Sequence, residues 1–418
     1  GINVEFMYSP SNFGGLGFTR VFEENIVQNI NLAFRLLNSA DDKISHCVKN
    51  ELILTTKMRL RKGAEVDLGV ALKWLCGVPV GTDECATSHA PGTWWTRIQA
   101  AIDRARKQYK TTCSFQCSGD FVNLEIDYNN DGSIYHVFID KENRQLLSET
   151  LHEVIGKFHF DRWKNLGTQG HVLPCIMMSS FSLSMLKGNE LKDWEWNFLV
   201  RARMCCLPTR FNMSHKARNL IQLCRRCGLS NEKQSHVLCG CPFNNGLVTK
   251  RHHAIAITLA RYLSNLDYEV PPIEITTKLT PDIIVRTKGH VYLLDVKCGY
   301  DTLTNFEKLR NENVNKYTGM AAEISEKHKL RSSVETFIVG SLGTWDVKNQ
   351  IFLSMIGLHY RQMQELDEAV CLSVVQDSAF IAKIHMDSGP YVQVPTPGQP
   401  MTERDLPSNL AEWAETIN

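Results

Sequence analysis

One stretch of the chain carries four potential metal ligands at short, fixed spacing. In the segment CRRCGLSNEKQSHVLCGC, Cys224 and Cys227 are followed by His236 and Cys241. Three thiolates and one imidazole complete a closed tetrahedral set, which is typical of structural zinc and not of an open catalytic site. A segment this short cannot fold on a core of its own, so we predict that the metal supplies its folding free energy. Cys239 is an alternative to Cys241 as the fourth ligand.

Charge is balanced over the whole chain but uneven around this cluster. With 46 Lys and Arg residues against 45 Asp and Glu residues, any nucleic-acid-binding surface has to be local. Residues 201–261 contain eleven Lys or Arg residues and one acidic residue, Glu232. An ordinary solvated face carries both signs, so this block favours a phosphate-binding surface. The arginines expected to contact nucleic acid are Arg201, Arg203, Arg210, Arg225, Arg226 and Arg251.

Cysteine usage and hydropathy limit the cellular setting. The 14 cysteines are scattered and do not form the framework of a small disulfide-bonded domain, which favours a reducing compartment. No apolar run approaches the roughly 20 residues that a membrane span needs, so we expect no membrane association. Because the chain begins at Gly1 and not at Met, we expect it to be a part of a longer protein.

A second stretch, TPDIIVRTKGHVYLLDVKCG, places charged residues at the far ends of two strand-like runs. Lys288 and Gly289 can form a two-residue hairpin loop. Pairing about that loop puts Asp282 directly opposite Asp295, with Cβ atoms roughly 5 Å apart. Two ionised carboxylates at that distance in apolar strands repel each other unless a cation lies between them. The hairpin therefore predicts a cation site.

The same strand adds an ammonium group to that site. Lys297 follows Asp295 by two residues and so projects from the same face, whereas Leu294 and Val296 point into the core. Mg²⁺ or Mn²⁺ on Asp282 and Asp295 would polarise a phosphodiester and activate a bound water, and Lys297 would orient that water or offset negative charge. The structural alternative is an Asp–Lys ion pair at a strand end.

Hydrophobic periodicity divides the rest of the chain. Helical spacing predicts two helices within residues 20–62, separated near residues 39–42, and a helix from Trp94 to Tyr109; residues 121–139 alternate like a hairpin. We predict a mixed fold. Its regions are a helical part (1–120), a linker with a β-hairpin and helices (121–218), a zinc knuckle (219–243), an α/β domain (244–387) and a poorly ordered tail (388–418).

The elements around the hairpin run in the order helix, strand, hairpin, helix, strand, helix. A long amphipathic helix follows the hairpin, then a strand in VETFIVGSLGTW and a helix from Asn349 to Leu366. This order is that of the P-D…(D/E)-x-K nuclease superfamily. The α/β part is therefore expected to have a restriction-endonuclease-like fold.

The cysteine cluster, RHH, P-D, D-V-K and VGSLGTW together resemble the C-terminal region of site-specific non-LTR retrotransposon proteins that carry a restriction-like endonuclease. The resemblance makes Cys224, Cys227, His236 and Cys241 the knuckle, and Asp282, Asp295 and Lys297 the catalytic residues. Arg251 and His252 match the first two positions of an Arg-His-Asn motif, and His253 stands where the family usually has Asn. Further matches, in the helix after the hairpin, are Lys316 and Tyr317, which we expect to contact nucleic acid.

The resemblance extends to most of residues 10–386, with thumb-like helices before the linker, and it implies a function. The expected activity is cleavage of double-stranded target DNA in the nucleus, which frees a 3′ end for reverse transcription. Element RNA is an expected partner, and the chain is expected to act as a dimer or with an upstream reverse transcriptase portion. His252 is expected to grip phosphate beside the catalytic residues. The alternative is a catalytically silent or domesticated DNA/RNA-binding module that keeps the knuckle and the nuclease scaffold.

Overall fold

The computed structural model describes residues 1–60, 65–79, 92–187, 190–214, 222–264, 280–287 and 289–387. They form a mixed helix and sheet fold in two compact units. The N-terminal unit comprises Val4–Pro10 and Gly15–Arg162, and the C-terminal unit comprises Gly1–Asn3, Ser11–Gly14 and the chain from Trp163 onwards. The expected poorly ordered tail, 388–418, lies outside the described residues.

The N-terminal unit packs helices on a three-stranded antiparallel sheet of order β1-β2-β3. Its elements are α1 (Val4–Tyr8), α2 (Val21–Leu37), α3 (Asp42–Arg59), α4 (Leu68–Leu75), α5 (Trp94–Tyr109), β1 (Thr111–Ser118), β2 (Phe121–Asn130), β3 (Ser133–Ile139) and α6 (Gln145–Lys164), the last two residues of which belong to the other unit. The helices predicted on either side of residues 39–42 and from Trp94 to Tyr109 are confirmed.

The boundary predicted between residues 120 and 121 falls inside the hairpin of β1 and β2. Ser118 pairs with Phe121, and Val122 and Leu124 of β2 belong to the same core as Ile30 of α2. Sequence periodicity predicts β2 and β3 but not β1, which lies on the other side of the predicted boundary. The compact unit continues to Arg162.

A buried ionic network ties the N-terminal unit together around His159. Its ring lies 2.5 Å from the Glu5 carboxylate on α1 and 2.8 Å from the Glu23 carboxylate on α2, and the Tyr109 hydroxyl donates to Glu23 at 2.9 Å. Burial alone would lower the pKa of His159, but the hydrogen bonds with Glu23 and Glu5 outweigh burial and raise it. His159 is thus a paired core histidine.

The C-terminal unit is built on a second three-stranded sheet of order β4-β5-β6. Its elements are a 3₁₀ turn (Ser11–Phe13), α7 (Leu173–Ile176), a 3₁₀ helix (Ser180–Lys187), α8 (Asp193–Arg203), α9 (Arg210–Ser214), a π-helical turn (His236–Gly240), a 3₁₀ turn (Pro242–Asn244), α10 (Asn245–Ser264), β4 (Ile283–Arg286), β5 (His290–Gly299), α11 (Leu303–His328), β6 (Arg331–Gly340), α12 (Val347–Met355) and α13 (Tyr360–Asp387).

Strand β5 is central and is covered on both faces, which explains its almost continuous apolar sequence. It pairs antiparallel with β4 and parallel with β6, and α11 makes the crossover between β5 and β6. Val291 and Leu293 pack against α11, whereas Leu294 and Val296 belong to the core that contains α10 and α13. Asp295 therefore points to the α11 face.

Two predicted boundaries in the C-terminal unit differ from the structure. The single helix expected from Asn349 to Leu366 is two helices, because Gly357 takes a positive φ of 95° and the first helix ends at Met355. The cysteine cluster does not form a separate domain, since contacts place it in the same compact unit as the sheet. The strand expected before the hairpin falls in residues 265–279, outside the described residues.

Helix α13 stands out among the described helices by its length of 28 residues together with its apolar composition. By length and composition it is long and apolar enough to cross a membrane, and half of its apolar stretch is buried inside the protein. It also places Asp367, Ser378 and His385 in the core. Core helices of soluble proteins pass the same test, so the expectation of no membrane association stays a prediction.

Candidate active site and metal-binding cluster

The four predicted knuckle ligands converge. One ligand atom from each of Cys224, Cys227, His236 and Cys241 lies within 4.8 Å of the others. The Cys224 and Cys241 sulfurs are 3.8 Å apart, and the Cys227 sulfur is 3.3 Å from His236 Nε2. Tetrahedral zinc with metal–sulfur bonds of about 2.3 Å and metal–nitrogen bonds of about 2.0 Å needs edges of roughly 3.8 and 3.5 Å. The cluster could therefore hold a metal ion such as zinc.

Outer groups orient these ligands. Ser230 Oγ lies 2.9 Å from His236 Nδ1, which turns Nε2 toward the three sulfurs. The hydrogen bond between the two thiols lowers the pKa of Cys224 and raises that of Cys241, so the pair shares a proton that a bound metal would displace. Cys239 is outside the group and instead lies 3.8 Å from the Arg251 guanidinium, so the structure favours Cys241 over Cys239 as the fourth candidate ligand.

A second possible ligand group shares Cys224 and contains the sole acidic residue of the basic block. Cys224, Glu232 and His385 also bring ligand atoms within 4.8 Å of one another, all of them buried. His385 Nε2 is 3.5 Å from the Cys224 sulfur and 3.5 Å from Glu232 Oε2. Burial opposes ionisation of Glu232, but His385 and Arg225 outweigh it and lower the pKa of Glu232 to about 2.

Several arginines predicted to bind phosphate are structural instead. Arg203 is buried and donates to the Ser182 and Leu342 carbonyls, and Arg251 is buried and donates to Ser378 and Leu238. A side chain without exposed surface cannot meet a phosphate, so neither arginine belongs to the candidate nucleic-acid surface.

Two arginines beside the cysteines are also occupied. Arg226 is buried, donates to the Ile384 and His385 carbonyls and lies over the Phe243 ring. Arg225 is half-buried and pairs with Glu232 at 2.9 Å. These contacts fix the cluster to the end of α13, which corrects the expected phosphate contacts of both arginines.

The remaining members of the predicted surface differ in exposure. Arg201 is exposed, and Arg210 is partly exposed and donates to the Leu223 carbonyl at 3.2 Å. Lys316 is exposed with its ammonium 4.5 Å from the centre of the Tyr317 ring. Tyr317 itself is fully buried, so it contacts protein and not nucleic acid in this structure.

The hairpin register predicted from the two-residue loop is confirmed. Ile283 pairs with Leu294 and Arg286 with Val291, and the Thr287 amide donates to the His290 carbonyl. Asp282 immediately precedes β4 in this register, at the position opposite Asp295. Of the two loop residues, Lys288 lies outside the described residues.

Asp295 is buried between a cation and a phenol. It is 3% exposed, and Lys297 forms an ion pair with its Oδ2. The Tyr317 hydroxyl lies 3.1 Å from Asp295 Oδ1 and 2.9 Å from the Thr280 carbonyl, two acceptors for its single proton. Burial, followed by the charge of Asp295, raises the pKa of Tyr317, so the phenol stays protonated and can donate.

Asp282 is held by β5 and by α10. Its Oδ2 accepts a hydrogen bond from the Val296 amide at 2.7 Å and lies 3.3 Å from His252 Nε2, which is also 3.0 Å from the Val296 carbonyl. Burial opposes ionisation of Asp282, but the bonds from His252 and Val296 outweigh it and lower the pKa of Asp282. The hydrogen bond with Asp282 raises the pKa of His252.

The residues of this site fit a cation only in part. Asp295 Oδ2 is buried, and the Lys297 ammonium meets it as an ion pair. Such an oxygen suits a hard cation. However, within the described ranges the groups of three or more converging His, Cys, Asp or Glu ligands both contain Cys224, and Asp282 and Asp295 belong to neither. A cation here would take its other ligands from water or phosphate.

The sequence predicts that Asp282, Asp295, Lys297 and His252 belong to one site. It does not predict the groups that hold these side chains in place. The Val296 backbone carries no sequence signal, and His385 stands 161 residues after the Cys224 that it contacts. The sequence resemblance predicts that Tyr317 contacts nucleic acid, whereas in the structure Tyr317 is buried and its hydroxyl lies beside Asp295.

Comparisons with known proteins leave the family open: no protein-family model matches the chain, and no curated protein matches it.

Proposed function

We propose that this chain is a Mg²⁺-dependent DNA endonuclease that nicks target DNA by phosphodiester hydrolysis. The observation that carries the proposal is the hairpin register, which brings Asp282 to the position opposite Asp295 and pairs Asp295 with Lys297. Two carboxylates and an ammonium at one strand end suit phosphodiester hydrolysis, because negative charge develops on the phosphate in the transition state.

Each residue at or beside the hairpin has a separate role in the proposed reaction. Asp282 and Asp295 would hold the cation, which when bound polarises the phosphodiester and lowers the pKa of a coordinated water. Lys297 starts on Asp295 Oδ2 and, when a cation takes that oxygen, its ammonium is free to meet the scissile phosphate. His252 fixes the Asp282 carboxylate, and Tyr317 fixes that of Asp295.

The order of elements supports a restriction-endonuclease-like fold for this part of the chain. Helix α10, the β4–β5 hairpin, the α11 crossover, β6 and α12 follow the order expected of the P-D…(D/E)-x-K superfamily, apart from the strand expected within residues 265–279, which lie outside the described chain. The parallel pairing of β5 with β6 through a helix is consistent with it.

The cysteine cluster is proposed to be a structural zinc knuckle. Its ligand set is closed, with three sulfurs and one imidazole that leave no position for a substrate. The buried contacts of Arg225 and Arg226 with α13 support its role as a brace of the nuclease core.

We place this activity in a retrotransposon protein, on the motif resemblance. The substrate is double-stranded target DNA, nicked in the nucleus to prime reverse transcription by another part of the protein, and element RNA is a further partner. Exposed basic side chains available for phosphate contact are Arg201, Lys233, Lys250, Arg261 and Lys316.

A second candidate is a zinc-stabilised DNA/RNA-binding module without catalysis. The observation that favours it is the ion pair of Lys297 with Asp295, which gives both side chains a structural partner without any metal ion. In that case the hairpin is a scaffold and only binding remains.

Nicking of supercoiled plasmid in the presence of Mg²⁺ or Mn²⁺ separates the two. We expect wild type to nick, and Asp282→Asn and Asp295→Asn to be slower by about 100-fold or more while still binding DNA. Glu335→Gln is the matched control, because Glu335 lies on the other face of the same sheet, beside Leu294. Binding without nicking by wild type would support the second candidate, and equal nicking by the Asp variants would contradict the site.

A further inference from the structure

Two adjacent carbonyls connect the cysteine cluster to helix α10 and to the 3₁₀ turn that precedes it. We call residues 236–241 the zinc loop, since they carry His236 and Cys241 and include the π-helical turn His236–Gly240. The Val237 carbonyl accepts from the Asn244 side chain at 2.8 Å, and the Leu238 carbonyl accepts from Arg251 at 2.9 Å. Backbone acceptors buried in a short turn need such donors.

Arg251 is an unusual donor, because its charge is buried without a carboxylate bound to it among the described contacts. It is fully buried, its second nitrogen donates to Ser378 of α13 at 2.7 Å, and its third acceptor is the Cys239 sulfur at 3.8 Å. A buried guanidinium whose hydrogen bonds in the described chain go to neutral acceptors is costly to keep, and the charge of Asp377 on α13 offsets part of that cost. Its three partners lie on the zinc loop and α13, so its position is set by both.

The next residue along α10 is His252, which faces a different side of the helix. His252 contacts the Val296 carbonyl and Asp282, whereas Arg251 contacts the zinc loop. Successive helix residues differ by about 100° in direction, so one rigid helix turn joins the two contacts.

We propose that Arg251 is a positioning residue that transmits the folded state of the zinc loop to His252 and, through it, to the Asp282 carboxylate. The assignment of His252 and Asp282 to an active site rests on the proposed function. The structural link from the zinc loop through Arg251 to these two residues does not. Binding of zinc to the loop then sets the geometry of the cation site, although the two share no ligand.

The test compares His252 in wild type and Arg251→Met, each with zinc and after treatment with a zinc chelator. The readout is the NMR resonance of the His252 ring, assigned with His252→Gln, together with Mn²⁺ affinity measured by electron paramagnetic resonance. Arg251→Met with zinc should keep one zinc per chain, shift the His252 resonance and bind Mn²⁺ about tenfold more weakly. Chelation should shift the resonance in wild type but add little in the variant, since the link is already cut.

Arg203→Met is the matched control, because Arg203 is equally buried and its hydrogen bonds within the described chain go to the Ser182, Leu342 and Gly343 carbonyls, which belong to neither α10 nor the zinc loop. It should leave the His252 resonance in place. If Arg251→Met fails to fold, Arg251→Lys keeps the charge and reaches one acceptor at a time, and should give a smaller shift of the same kind. The proposal would be overturned if the His252 resonance of the folded Arg251 variant stayed at its wild-type position. It would also be overturned if chelation of zinc shifted the His252 resonance equally in wild type and in the variant. If the His252 resonance shifts in Arg251→Met but wild type does not nick DNA, the structural link is supported and only the proposed nuclease function is contradicted.

Discussion

The two candidate metal-binding regions of this protein differ in how far the chain assembles them by itself. At the cysteine cluster four ligand atoms already lie within 4.8 Å of one another, and Ser230 orients one of them. At the hairpin two carboxylates are held by separate elements, and an ammonium is paired with one of them. The first arrangement is closed and the second is open.

This difference follows from what each region has to do. A structural metal is bound by a complete ligand set, and its binding energy becomes folding energy. A hydrolytic centre has to leave positions for water and phosphate, so its own side chains cannot close around the cation. The carboxylates at the hairpin need partners of their own when no cation is bound, and Lys297, Tyr317 and His252 supply them.

Removing a cysteine should have the largest effect if the cluster is structural. Cys227→Ser should reduce zinc from about one per chain to well below that, and lower the free energy of unfolding by at least about 4 kcal/mol. Zinc stoichiometry by atomic absorption and denaturant titration would measure both.

Cys239→Ser is the matched control for that variant, because Cys239 lies in the same loop but outside the ligand group. It should retain zinc. Loss of zinc from Cys239→Ser, together with full retention by Cys241→Ser, would show that the ligand assignment is wrong.

Removing the hydroxyl of Tyr317 should have an intermediate effect, on the open site alone. Tyr317→Phe takes the donor from Asp295 Oδ1, and we expect a loss of about 1–3 kcal/mol in stability. Nicking should slow by roughly tenfold while zinc content stays unchanged. Tyr292→Phe, on the opposite face of β5, is the control. Nicking by Tyr317→Phe at the wild-type rate would show that the Tyr317 hydroxyl does not support the site.

The open site should also respond to pH. In the cation-free protein, the raised pKa of His252 gives a contribution to stability that is complete below its unfolded value near 6.5 and is lost as pH rises through the raised value. The lowered pKa of Asp282 gives a contribution that is present above its unfolded value near 3.8 and is lost as pH falls through the lowered value.

The pair should therefore stabilise most between about pH 4 and 6.5, by roughly 1 kcal/mol. Denaturant titrations at pH 6 and pH 9 on wild type and His252→Asn measure this small effect. A stability difference between the two proteins that is the same at both pH values would argue against the pair.

The sequence was most informative where spacing alone determines geometry. A two-residue loop fixes hairpin register, and so the position of that loop was enough to pair Asp282 with Asp295. The same holds for the cysteine cluster, whose ligands lie within 18 consecutive residues of the chain. In both cases the relevant contacts are local in sequence.

Residues whose role depends on distant parts of the chain could not be assigned from the sequence. A basic block does not distinguish an exposed arginine from one that donates to carbonyls in the core, and Arg203 and Arg251 belong to the second kind. Tyr317 and His385 act through contacts made across the fold, with Asp295 and Cys224. The sheet strand β1 was missed because its exposed and buried residues alternate only over its first half.

Plasmid nicking by wild type and Lys297→Ala, with a gel shift on the same samples, tests the central claim most directly. Lys308→Ala serves as the control, since Lys308 is an exposed lysine paired with Glu312 on α11. We expect wild type and Lys308→Ala to convert supercoiled plasmid to open circles with Mg²⁺ or Mn²⁺, and Lys297→Ala to bind the plasmid without nicking it. Nicking by Lys297→Ala at the wild-type rate, or binding without nicking by wild type in either cation, would contradict the claim that this hairpin is a nuclease centre.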